Sequence, residues 1–324
     1  MTTALLTLPE LAMQPRKSSM FHLYRISKFD DDKFSVKNFK KYSHALTEHL
    51  VREFRVTKTL NKDSTIGIFR ELQGGGFDED FRAELGLCCV VEARVAPDHA
   101  KVDGHLGPRT YLCDVVLCLG EIVRNKFKFG LVLCRGRGAL IKSVLDFIKR
   151  YFGGVSAPVN VAPHHLVFLA REWTRDIDDE SAAEDEIIKS ENRRFKRLTK
   201  LEITFTLPPV IINEATPAKD LESVHVTIEE ESLRNLHALV EKQQMMDIME
   251  EEEGRKDPAL VTALTRHISK HLNIDLTGTF VTMISTPTAE LSSDGKVRFL
   301  WPSHLKRALL HLQEVSKTKA EEFD

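Results

Sequence analysis

Four apolar, β-branched-rich segments follow one another in this sequence with no helical pattern between them. Thr65–Phe69, Leu87–Val95, Thr110–Leu119 and Lys126–Cys134 each have the length and residue types of a strand. Gly74-Gly75-Gly76 and the stretch Asp98–Pro108 supply turn residues between them. A parallel pair needs a crossover of a dozen or more residues, usually a helix, whereas antiparallel strands can be joined by a turn. The block therefore favours an antiparallel sheet, and the chain reads as α+β.

Helical patterns flank the block. Val36, Phe39, Tyr42, Leu46, Leu50 and Phe54 recur at three and four residues after Ser35, a candidate N-cap. A second pattern runs from Gly138 to Tyr151, with Leu140, Ile141, Val144, Leu145 and Ile148 on one side and Gly153-Gly154 as its stop. A third helix spans Pro163 to Trp173. Beyond it, Asp176–Glu191 is acidic and weakly periodic, as an exposed linker would be. Leu201–Leu207 and Glu222–Ile228 read as strands around a connection with Pro208, Pro209 and Pro217. An acidic helix over Glu229–Glu253 and a helix over Pro258–His271 follow. A strand pair comes next, Phe280–Thr286 with Lys296–Trp301, joined through Ser293-Asp294-Gly295-Lys296, and a helix over Ser303–Val315 closes the pattern. The expected organisation is a flexible arm (1–19), an α+β domain with a basic surface (20–175), a charged linker (176–200) and a partner-binding α+β domain (201–324).

The chain of 324 residues can bury a sizeable core without a staple. No run approaches the ~18 apolar residues of a membrane helix, so no membrane association is expected. Pro9, Glu10 and the lack of a basic n-region make residues 1–13 a poor signal peptide. All five cysteines, Cys88, Cys89, Cys113, Cys118 and Cys134, sit in apolar strand runs and read as reduced, buried thiols. Cys113 and Cys118 are five apart, so a strand points them to opposite faces, which argues against a zinc site. His164-His165 point about 100° apart on a helix, the pattern of one core and one surface histidine. Gly136-Arg137-Gly138 lies between a strand and a helix, where a phosphate-binding turn would sit. It lacks the third glycine of a dinucleotide fingerprint and the Gly-Lys-Ser/Thr of a Walker loop. No nucleophile elbow or buried carboxylate pair is present. The expectation is a protein that is not an enzyme and has no cofactor.

Charge is the more informative signal. The net charge is −2, yet basic residues outnumber acidic ones in residues 1–175 and the balance reverses in 176–324. The basic excess concentrates between Arg124 and Arg150. The candidate nucleic-acid contacts are Arg124, Lys126, Lys128, Arg135, Arg137 and Lys142, which would meet a phosphate backbone without reading bases. A stand-alone, sequence-nonspecific DNA-binding protein is one reading of this surface.

Several stretches carry a resemblance. At the N-terminal end these are Leu23-Tyr24-Arg25-Ile26-Ser27-Lys28-Phe29 and Phe39-Lys40-Lys41-Tyr42-Ser43-His44-Ala45-Leu46. In the middle, Leu131-Val132-Leu133-Cys134-Arg135-Gly136 leads into an amphipathic helix ending at Tyr151-Phe152. Toward the C-terminus come His267-Ile268-Ser269-Lys270-His271-Leu272-Asn273-Ile274-Asp275-Leu276, Ser285-Thr286 and Ser293-Asp294-Gly295-Lys296-Val297. In this order they resemble the centromere protein L family of the constitutive inner kinetochore. The resemblance implies a curved, mostly antiparallel sheet with helices on one side, similar to the TATA-binding protein, plus a C-terminal α/β dimerisation lobe. It also implies a nuclear, centromeric, non-enzymatic scaffold that pairs with a centromere protein N-like subunit through C-terminal strands and joins other inner-kinetochore subunits. A homodimer of the isolated chain is a further expectation. On these strands the partner-binding candidates are Phe280, Val281, Thr282, Met283, Ile284, Val297 and Phe299. A strand apolar on both faces is central in a sheet or a covered edge, and the expectation here is that Phe280–Thr286 extends a sheet across a subunit boundary.

Overall fold

The structure, a computed structural model, describes residues 20–30, 34–54, 65–71, 86–95, 111–120, 122–123, 126–175, 200–206, 223–229, 231–236, 238, 279–300 and 304–321. The expected arm (1–19), the acidic stretches 176–191 and 250–253, the proline-rich connection and the helix over 258–271 lie outside these residues. The strands are β1 (Phe21–Asp30), β2 (Ile66–Glu71), β3 (Leu87–Val95), β4 (Tyr111–Leu119), β5 (Ile122–Val123), β6 (Lys126–Gly136), β7 (Val155–Pro158), β8 (Leu201–Thr206), β9 (Ser223–Ile228), β10 (Phe280–Ser285), β11 (Ala289–Ser292) and β12 (Lys296–Phe299). The helices are α1 (Phe39–Glu53), α2 (Gly138–Phe152), α3 (Pro163–Arg175) and α4 (Leu305–Glu321). The chain is α+β, and its strand pairings are antiparallel.

Two compact units divide the chain, and they do not follow chain order. The first takes residues 1–159, 295–297 and 302–324; the second takes 160–294 and 298–301.

In the first unit the strand order is β2-β3-β4-β6-β1, with β5 on β6 and β7 on β1. Period two sorts the side chains. Cys89, Val91 and Ala93 of β3, Val115 and Leu117 of β4, and Val132 and Cys134 of β6 share one core with Leu46 and Leu50 of α1 and Val144 and Ile148 of α2. Leu131, Leu133 and Arg135 of β6 alternate with that set and are also buried; α4 packs against β6.

Helix α1 begins later than its sequence suggests. Ser35 is extended (φ −141°, ψ 136°) and makes no side-chain cap; a single 3-10 turn over Val36–Asn38 follows it, and the α-helix starts at Phe39. The Ser35 N–H instead donates to the Tyr42 hydroxyl at 3.0 Å. Helix α2 matches its pattern to within one residue and stops at Gly153, which sits at φ 78°.

An end strand presents unpaired backbone groups that invite other strands. Among the described residues β2 is an end strand, and α1 covers two of its backbone N–H groups. The Phe69 N–H donates to Ser43 Oγ at 2.9 Å, and the Gly67 N–H donates to Thr47 Oγ1 at 3.0 Å. Both hydroxyls also donate to helix carbonyls four residues back, so each side chain joins helix to sheet.

Burial pushes the thiols of Cys89, Cys118 and Cys134 well above their ordinary range, with a hydrogen bond to Cys88 the first cause for Cys118. The folded state then holds protons that the unfolded state gives up near pH ~8.5. This contribution is full below that pH and is lost as pH rises toward the folded values. The urea midpoint is therefore expected to fall above about pH 9, and a Cys89→Ser/Cys118→Ser/Cys134→Ser variant should lose that part of the alkaline slope. An unchanged slope in that variant would assign the alkaline loss to other groups.

In the second unit the order is β11-β10-β8-β9, and α3 packs on β10 and β11. Its inner face holds Leu166, Leu169, Ala170 and Trp173. His165 is buried and His164 exposed, as their spacing suggests. The expected single hairpin of Phe280–Thr286 with Lys296–Trp301 is corrected here: β11 lies between the two strands. Thr286-Pro287-Thr288 makes the extra turn, closed by the Thr286 N–H bonding the Ala289 carbonyl and the Ala289 N–H bonding Thr286 Oγ1. The Asp294-Gly295 turn then joins β11 to β12. Gly295 has φ 75°, and a Cβ there would stand 2.1 Å from the Val159 carbonyl oxygen, so only glycine fits.

Candidate functional site

Strand β10 carries most of the partner-binding candidates. It pairs with β8 on one side and β11 on the other. Its ladder groups are therefore used within the chain, and the expected extension of a sheet by Phe280–Thr286 across a subunit boundary is corrected: the strand is central, the other of the two positions that a doubly apolar strand can take. A register shift between Val281 and Met283 breaks the alternation. As a result Val281 and Ile284, three apart, are both buried at 3% and 0%. Thr282 and Met283 are half-buried, and Phe280 is 49% exposed. Thr282 is tied down, accepting from Thr206 Oγ1 at 3.1 Å and donating to the Thr204 carbonyl at 3.3 Å. Val297 and Phe299 are buried as well. Of the seven candidates, Phe280, Thr282 and Met283 present side-chain surface.

Among the described residues, β9 is the end strand of this unit and pairs only with β8. His225 and Thr227 on it are exposed, and Val224 and Val226 half-buried. Among the described residues no helix hydroxyl bonds its outer side, in contrast to β2.

The basic candidates separate into three groups. Arg124, with the side chains of Lys126 and Lys128, lies outside the described residues. Arg137 and Lys142 are exposed at the start of α2. Arg137 precedes the first helical residue, and no acidic residue occupies that first turn, so this end of the helix offers N–H groups beside two cations.

Arg135 is a different case. It is 1% exposed, so the reading of it as a phosphate contact is corrected. The Arg137 N–H donates to the Leu112 carbonyl. Two residues along the same ladder, Asp114 and Arg135 stand opposite each other. Arg135 Nη2 and Nε donate to one Asp114 carboxylate oxygen at 2.8 and 3.2 Å. Its guanidinium carbon lies 4.8 Å from the centroid of the Phe21 ring, a cation–π distance. Sequence reasoning missed this pair. The signal was available: period two puts Arg135 on the face of Leu131 and Leu133, and Asp114 on that of Val116 and Cys118.

Among the described residues, no group of three His, Cys, Asp or Glu side chains is placed to hold a metal ion, and no helix is long and apolar enough to cross a membrane. The surfaces on view are thus a sheet with one end strand capped, a second unit with β9 at its end, and a basic helix start. The family model described as centromere protein L matches residues 122–322, well over half of the chain. The chain belongs to the centromere protein L family. That family is a structural component of the kinetochore, which makes this chain a centromere/kinetochore subunit in the nucleus. The matched span takes in α2, the whole second unit and α4. A search of curated proteins gave no match.

Proposed function

We propose that this kinetochore subunit is a non-enzymatic scaffold that forms a heterodimer with a centromere protein N-like subunit and helps to assemble inner-kinetochore subunits on centromeric chromatin. The observation that carries the proposal is the family match over residues 122–322, which includes every partner-binding candidate. The partner surface is the β8–β10 sheet of the second unit, with Phe280, Thr282 and Met283 as side-chain contacts and β9 as the strand that a partner strand can extend. Val281, Ile284, Val297 and Phe299 are buried and are not surface contacts in this proposal. Arg137 and Lys142, with Arg124, Lys126 and Lys128, are the proposed contacts to a DNA backbone.

The partner half is tested by co-expressing the full chain with a centromere protein N subunit and measuring mass by light scattering. A 1:1 complex is expected. The double variant Phe280→Asp/Met283→Asp should lower its yield while leaving the melting of the isolated chain unchanged. Proline in β10 would not be diagnostic, since it breaks ladder bonds to β8 and β11. Wild-type yield from the Asp variant would move the interface off β10. The DNA half is tested on the assembled complex. Arg137→Glu/Lys142→Glu should weaken binding uniformly across sequences and lower the salt slope by about 2, near one per lost phosphate contact. An unchanged slope would remove these two residues from the contact.

A further inference from the structure

Cys88 and Cys118 stand directly opposite each other on the antiparallel strands β3 and β4. Which kind of opposite pair they form follows from backbone bonds on either side. The Arg137 N–H bond to the Leu112 carbonyl turns residues 112, 114, 116 and 118 of β4 toward β6, because hydrogen-bonded and non-hydrogen-bonded positions alternate. From the other side, the Gly67 and Phe69 N–H groups point to α1. Ile66, Ile68 and Arg70 must then bond β3, so Arg94, Glu92 and Val90 face β2. Both routes leave Cys88–Cys118 as a non-hydrogen-bonded pair across β3 and β4. Such pairs bring their Cα atoms to about 4.5 Å and their side chains closest together, inside the Cα range that a disulfide spans. The two sulfurs already share a hydrogen bond. Cys89 and Cys113 belong to the helix-covered core, and the period of two puts Cys88 and Cys118 on the other face from them.

We infer that Cys88 and Cys118 are an oxidation site: a vicinal cross-strand dithiol that a peroxide converts to a disulfide joining β3 to β4. Both are free thiols in the resting chain. Cys88, at 6% exposure against 0% for Cys118, is the sulfur that the peroxide reaches first. Its thiolate attacks one oxygen of hydrogen peroxide, the O–O bond breaks, and Cys88 becomes a sulfenic acid as hydroxide leaves. The Cys118 sulfur then attacks the Cys88 sulfur, the S–O bond breaks, and the S–S bond forms. The two thiol protons end on the two released oxygens. Two thiols and one peroxide thus give one disulfide and two waters, with two electrons passing from sulfur to oxygen. A shielded thiol pair of this kind reacts slowly, so the site answers sustained peroxide rather than brief exposure.

The test treats the intact chain with hydrogen peroxide, blocks the remaining thiols in denaturant, and maps the peptides by fragment spectra that separate Cys88 from Cys89 and Cys113 from Cys118. The expected result is one peptide pair joined through Cys88 and Cys118, two hydrogens lighter than the sum of its parts. Loss of two of the five thiols, restored by dithiothreitol, should accompany it. In Cys118→Ser the link should vanish, and a sulfenic acid at Cys88 should become trappable by dimedone. Five intact thiols after treatment, a link through any other cysteine, or sulfinic acid at Cys88 without a link would each overturn the inference. Because the mapping is made on the wild-type chain, a variant that fails to fold does not rescue it.

Discussion

Replacing Asp114 with alanine is expected to destabilise the first unit by about 3–5 kcal/mol, the cost of leaving a buried charge without its partner. The two side chains are each 2% exposed. Arginine side chains stay charged in proteins, so removing the carboxylate leaves the buried Arg135 guanidinium with the Phe21 ring beside it. Its Nη1 already lacks a hydrogen-bond partner among the described residues, which makes the site still less able to absorb a further loss. Asp114→Asn keeps an acceptor opposite Nη2 and should cost less than alanine. The double change Asp114→Leu/Arg135→Met removes both charges together and should return most of the stability, since apolar replacement of a buried pair is often neutral or favourable by 1–4 kcal/mol. Urea titrations of the four proteins, with the variants closing a cycle, measure this directly. A cost below about 1 kcal/mol for alanine would place the pair in solvent contact, as for a surface ion pair.

The pair also marks where sequence reading stops. Strands β3, β4 and β6 were legible because each is a long apolar run, and their antiparallel pairing followed from the lack of anything helical between them. Helix α2 was legible at both ends because Gly136 and Gly153 bracket a continuous 3.6 pattern. Arg135 was grouped with Lys126, Lys128 and Arg137 because charge was read as density along the chain. Faces are set by alternation instead, and alternation puts Arg135 beside Leu133 while Arg137 falls past the strand end. The C-terminal strands failed for a related reason. The Asp294-Gly295 turn was strong enough to be seen, but its partner strand was taken as Phe280–Thr286, because four-residue β11 is too short to show a period of its own. The bulge at Val281–Met283 then shifts the buried phase within β10, so strict alternation misassigns half of that strand. Strand β7, also of four residues, shows no period of its own for the same want of length. Family membership was legible in the order of the quoted stretches, and the family model over residues 122–322 bears it out.

Phe152→Ala is expected to cost about 3–5 kcal/mol, the range for truncating a fully buried aromatic ring. Phe152 is the last residue of α2 and is completely buried. Its ring lies 5.0 Å from those of Phe34, Tyr42 and Tyr151, and 6.3 Å from Phe69. It therefore joins the end of α2 to the start of α1 and to β2. The contacts with Phe34 and Tyr42 are edge-on, at interplanar angles of 77° and 89°, the arrangement that ring quadrupoles favour. Leucine retains apolar volume but not these edge contacts, so Phe152→Leu should fall between alanine and wild type. Helix α1 caps the outer edge of β2 through Ser43 and Thr47, and loosening its start should weaken that cap. The alanine variant should then show faster hydrogen exchange at Gly67 and Phe69, whose N–H groups end on those hydroxyls, as well as in the first turn of α1. A variant that loses stability while those two amides keep wild-type protection would separate the aromatic cluster from the edge cap. The coupling of core to strand edge argued here would then be wrong.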